Sequence, residues 1–148
     1  MPKRPVRVEY KSLVVIWFAL LISQGLFLAI VMIVKPGIIS AAGNADPLGD
    51  KPLIVLAFAV AAVAFFALSI ILGRQHMRRA IVDHDQACVQ TGLVLGCALS
   101  EVCSVLGLVL AFVWNYPYFF LWMILGTLGI LINFPRKGTL DAAAIREV

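Results

Sequence analysis

Apolar and polar positions alternate along this chain in long blocks rather than residue by residue. Residues 12–34 (SLVVIWFALLISQGLFLAIVMIV) run apolar between Lys11 and Lys35, and residues 52–73 do so after Lys51. A third block covers residues 90–114, and a fourth, residues 117–134, stops at Pro135. A bilayer core requires about 20 apolar residues in helical form, so each block predicts a membrane-spanning helix, the fourth slightly short. Pro52 suits a first helical position, where a missing N–H is harmless. The small residues of ISAAGNA (39–45) resemble a cleavage site, but the first block is too long for the apolar core of a signal peptide, about 7–15 residues. It is expected to remain as a span. The expected fold class is therefore all-α: a polytopic membrane protein in which residues 1–148 form a single four-helix transmembrane domain.

Composition strengthens this reading. Hydrophobic residues make up 62% of the chain and charged residues 14%, against roughly half and a quarter in a soluble domain. The net charge of +4 does not point to nucleic acid, because the basic residues flank the apolar blocks. Lys3, Arg4, Arg7, Lys11, Arg74, Arg78, Arg79, Arg136, Lys137 and Arg146 would share one side of the membrane, leaving Lys35 and Lys51 on the other. Positive charge is retained on the cytoplasmic side, so both termini are expected there, in a bacterial inner membrane.

The connections differ in kind. Residues 35–51 (KPGIISAAGNADPLGDK) form a Pro- and Gly-punctuated outer loop with room for a small cap, whereas residues 74–87 (RQHMRRAIVDHDQA) predict a helical extension of the second or third span. Asn115-Tyr116 is a tight outer turn that makes the third and fourth helices antiparallel neighbours. Trp114, Tyr116, Tyr118 and Trp122 at that turn fit an interfacial aromatic belt. In the third block Gly92, Gly96, Ser100, Ser104, Gly107 and Ala111 recur at spacings of three and four, forming a small-residue groove for a close helix neighbour. That neighbour can belong to the same chain or to another copy. Ala57, Ala61, Ala64 and Ala67 form a similar stripe on the second span.

One acid interrupts the third block. Glu101 is about eleven residues inside it, roughly 16 Å deep at 1.5 Å per residue, close to the midplane. An ionised and unpaired carboxylate there costs several kcal/mol, and no Lys or Arg lies within a span to pair with it. The expected state is a neutral, hydrogen-bonded acid. Ser104 shares its helix face, while Ser23, Gln24 and Thr127 lie at similar depth on other helices. Gln24 is the preferred partner because an amide both donates and accepts, with Thr127 as the alternative. Glu101, Ser104, Gln24 and Thr127 are thus the candidate ion-binding residues. Polar groups bond helices together in membranes, and intramembrane acids also mark ion pathways.

The segment GLVLGCALSEVCSVLGLVLAFVWNYPYF (92–119) resembles the second helix of the proteolipid (c) subunit of rotary ATP synthases. Glu101, Gly107-Leu108-Val109 and Asn115-Tyr116-Pro117 stand where that family has its mid-membrane acid, a GLV stretch and an outer turn. Gly73-Arg74-Gln75 is similar to its polar loop, but no proline follows. The resemblance covers the middle helix pair and implies that Glu101 carries an ion, with Arg74 and Gln75 in the rotor-facing loop.

Other chemistry finds little support. His76, His84, Asp83, Asp85 and Cys88 match no zinc spacing, and no histidine lies within a span to act as an axial haem ligand. Cys88, Cys97 and Cys103 suit a packed helix. Nucleophile elbow, HExxH and phosphate-loop motifs are absent. No cofactor, metal or catalytic activity is expected. The chain reads as a non-catalytic subunit or scaffold, partnered by lipid and by other subunits or its own copies through Gly92, Gly96, Ser100 and Gly107. The alternatives are a proteolipid-like ion translocator and a small proton-coupled exporter, the latter disfavoured because no aromatic rings surround Glu101 on its helix to hold a lipophilic cation.

Overall fold

A computed structural model describes residues 9–44, 46–48, 51–82 and 86–138. Helices α1 (Tyr10–Val34), α2 (Pro52–Val82), α3 (Gln86–Trp114) and α4 (Phe120–Ile132) follow one another, with a short 3-10 turn at Ser40–Asn44. All regular structure among the described residues is helical. Helices α1, α2 and α3 are long and apolar enough to cross a membrane.

Both central helices exceed their apolar blocks. α2 continues through Arg74, Arg78 and Arg79 to Val82, because no glycine or proline interrupts the helix-forming residues after Gly73. α3 starts at Gln86, ahead of its apolar block. The fourth block does the opposite. α4 has only 13 residues, about 20 Å of helix. Residues 117–119 form a turn, and beyond Asn133 the chain is non-helical up to Arg136. Pro135 accounts for the stop, since it disfavours helical backbone at Phe134.

A short helix ending among apolar side chains must place its last carbonyls somewhere. Trp17 Nε1 donates to the Ile130 carbonyl at 2.8 Å, and Asn133 Nδ2 donates to that of Gly129 at 2.8 Å. The Phe134 N–H reaches the Leu131 carbonyl at 3.3 Å. The end of α3 is closed from another helix. Lys35, just past α1, donates to the carbonyls of Ala111 at 2.9 Å and Phe112 at 3.0 Å, and to Asn115 Oδ1. Its positive charge lies at the negative end of the α3 dipole, and Asn115 adopts the left-handed conformation (φ 51°) common after a helix.

α3 is the central helix, packed against α1, α2 and α4. Its small-residue stripe, Gly92, Gly96, Ser100, Ser104, Gly107 and Ala111, is buried along its whole length. This chain's own helices fill it. At α2, Val55, Ala62, Ser69, Gly73 and Ala80 face inward, largely at seven-residue spacing. Ala57, Ala64 and Ala67 therefore fall on the exposed side, with Ala61 partly buried. On α1 the inward positions are Leu13, Trp17, Leu20, Gln24, Phe27 and Val31. These intervals of four and three suit helices crossing at a shallow angle.

The aromatic cluster differs from a lipid-facing belt. Tyr116 and Trp122 are only 5% and 6% exposed, and their rings meet edge to face at 5.6 Å. Tyr116 Oη donates to the Pro47 carbonyl and Tyr118 Oη to that of Ala42, both at 2.6 Å. Pro47 and Ala42, between α1 and α2, offer the backbone acceptors, so the two phenols anchor that part of the connection.

Candidate functional site in the helix core

Two polar clusters cross the interior. The first joins α1 to α3 near the middle of both. Ser23 Oγ lies in hydrogen-bonding contact with Glu101 Oε1, and Ser104 Oγ donates to Gln24 Oε1. Adjacent α1 residues thus meet α3 residues three apart. Glu101 is partly exposed, whereas Gln24 is 5% exposed and Ser104 fully buried.

The expected Glu101–Gln24 bond does not form. Gln24 turns to Ser104, and Thr127 donates to the Met123 carbonyl of its own helix at 2.8 Å. Equal depth made Ser23, Gln24 and Thr127 equivalent in the sequence, whereas azimuth separates them in the fold. Of the four candidate residues, Gln24 and Ser104 are joined, and Glu101 sits beside them through Ser23.

Ser23 Oγ is 2.6 Å from the Leu20 carbonyl and also contacts Glu101. A hydroxyl has one proton and a carbonyl can only accept. The single Ser23 proton is therefore shared between the Leu20 carbonyl and Glu101 Oε1.

The second cluster joins α2, α3 and the end of α4, and it contains residues that sequence reasoning missed. Asn133 Nδ2 donates to Ser69 Oγ at 3.0 Å, and Ser69 Oγ is 2.8 Å from Ser100 Oγ. Ser69 and Ser100 hydroxyls both lie within reach of the Gly96 carbonyl, at 2.7 and 2.9 Å. Close approach explains the glycine, because a Cβ at Gly96 would lie 2.7 Å from Asn133 Oδ1. The available signal was Asn133 itself, an amide beside Pro135 at the end of an apolar block.

One cavity, about 460 Å³, lies away from both clusters at the C-terminal end of α3 and includes Asp46, Lys51, Trp114 and Tyr116. The other, about 380 Å³, lies between α1 and α4 and includes Gln24, Met123 and Thr127. Glu101 lines neither. His76 Nδ1 is 2.9 Å from the Leu72 carbonyl, while Asp83, His84 and Asp85 lie outside the described residues. Among the described residues, His, Cys, Asp and Glu form no group of three that could hold a metal, and Cys88, Cys97 and Cys103 form no disulfide.

Known families, curated proteins and solved structures contain no match to this chain.

Proposed function

We propose that this chain is a small, non-catalytic subunit or scaffold of the membrane, in which neutral Glu101 clamps α1 to α3. The observation that carries the reading is the pairing of mid-helix polar groups across helices, Ser23 with Glu101 and Gln24 with Ser104. In lipid such bonds serve as interhelical attachments, each worth about 0.6 to 2 kcal/mol. The basic ends of α2 and of the segment after α4 would face the cytoplasm of a bacterial inner membrane. The outward faces of α1 and α2 would meet lipid and partner subunits.

A second reading rests on Glu101 itself, a partly exposed acid in the middle of α3. An acid holding a proton beside lipid can also release it, as the proteolipid resemblance implies.

Carbodiimide labelling of Glu101 in native membranes, followed by mass spectrometry between about pH 5 and pH 9, distinguishes the two. The clamp predicts labelling that is flat across this range. It also predicts a Ser23→Ala/Glu101→Leu double-mutant cycle with coupling of about 0.6–1.7 kcal/mol. Labelling that falls with a midpoint inside the range, with no coupling, would sink the clamp and favour the carrier.

A further inference from the structure

We propose that the cavity at the C-terminal end of α3 holds the head group of an ethanolamine phospholipid, its ammonium against Asp46 and its phosphate against Lys51. The cavity encloses about 460 Å³, within the range of small-ligand sites, roughly 300–1,000 Å³. Asp46 and Lys51 both line it and both are exposed, so neither charge is sealed away from its contents. The two charges are opposite, yet neither side chain has an ion pair or hydrogen bond among the described residues. A single zwitterion pairs with both.

The backbone holds both residues at the cavity. The Lys51 carbonyl accepts the Ile54 and Val55 N–H groups at 3.1 and 3.3 Å, opening α2. Lys51 therefore stands where the positive end of the α2 dipole adds to its own charge, which suits a phosphate. Asp46 adjoins Pro47, whose carbonyl accepts from Tyr116 Oη at 2.6 Å. That phenol proton is committed, which leaves the acid to receive a donor from the ligand. A primary ammonium brings three N–H donors, whereas a trimethylated choline brings none, so Asp46 selects ethanolamine.

Level and lining favour a lipid over a free solute. α2 begins at Pro52 and α3 ends at Trp114, so the two charges lie where both membrane-length helices end. Head groups occupy that level, just outside the hydrocarbon core, and Trp and Tyr favour it. Val55 and Leu110 line the cavity four residues further along their helices, about 6 Å deeper. They offer an apolar floor to the glycerol backbone and the first methylenes. The same charges without acyl chains, as in glycerophosphoethanolamine, leave that floor uncovered. The site stands apart from Glu101 and requires only that the chain lies in a membrane, not the clamp.

The test places the full chain in nanodiscs holding equal parts of ethanolamine, choline and glycerol phospholipids with identical acyl chains. Native mass spectrometry then counts the lipids that stay bound. Expected is about a tenfold preference for the ethanolamine lipid over each of the others. Asp46→Asn should erase that preference, and Lys51→Gln should lower retention of all three. Both substitutions fall at exposed positions outside the helices, so the fold persists, which circular dichroism checks. Ile54→Trp, which narrows the cavity without altering its charge, should also lower retention. Glycerophosphoethanolamine, added at the concentration of the lipid, should leave the bound lipid in place. Displacement by it would assign the cavity to a soluble zwitterion and overturn the proposal. Equal retention of the three lipids by the parent protein, or a preference that survives Asp46→Asn, would overturn it as well.

Discussion

At single residues, hydrogen-bond partners followed direction more than depth. Glu101, Ser23, Gln24 and Thr127 were all legible as polar groups near the middle of apolar blocks, yet only packing decided that Ser23 meets the acid and Gln24 meets Ser104. α1 is so uniformly apolar that its pattern does not announce which side faces α3. Tyr116 permits a test outside the spans. Burial first, and neighbouring Tyr118 second, push its phenol above the usual value. The neutral phenol donates to Pro47, and a phenolate cannot. The folded protein therefore keeps a proton that the unfolded chain releases near pH 10, and this contribution is lost as pH rises from about 10 through the folded-state value. Tyr116→Phe should cost about 1 kcal/mol at around pH 8, with the gap shrinking near pH 11. Thermal unfolding of both proteins measures it, and a gap that stays constant would refute the argument.

Among the helices, small residues set how close the axes come. A Cβ at Gly126 would lie 2.1 Å from Ser104 Oγ and 2.8 Å from the Ser100 carbonyl, and backbone cannot turn aside as a side chain can. Gly126→Ala should therefore force α3 and α4 apart and destabilise by about 1–3 kcal/mol. Gly25 belongs to α1, where the space for a Cβ is open. There an alanine should be neutral or stabilise by up to about 1 kcal/mol through helix propensity. Denaturant titration in mixed micelles would compare the two, and equal effects would mean that the α3–α4 contact is looser than described. The stripe on α3 was readable as a groove because its period matches the helix. Whether it would face this chain or another was not readable, since glycine and serine spacing is the same for both.

Over the whole molecule, charge and topology agree. Lys137 stacks over the Tyr10 ring at 5.1 Å, bringing the segment after α4 to the start of α1. Lys35 lies with Asn115 at the opposite end. The helices thus gather the described basic residues at one end, apart from Lys35 and Lys51. A phosphatase reporter active only outside the cytoplasm should be active when inserted after Asp46 and inactive when joined after Val148. The reverse pattern would show that charge does not set the orientation.

The helical class and the position of each polar group along its apolar block were determined by the sequence alone, because apolar runs and 1.5 Å per residue follow directly from chain order. Even the stop of the fourth helix had its cause in Pro135, although the turn at residues 117–119 that delays its start was not legible. Tertiary structure decided what depends on rotation about the helix axes: the Glu101–Ser23 contact, the Gln24–Ser104 contact and the junction of Asn133 with Ser69. It also turned Tyr116 and Trp122 inward. Uniformly apolar helices carry little azimuthal information in their sequence, so the direction in which each polar group points emerges only when the helices pack.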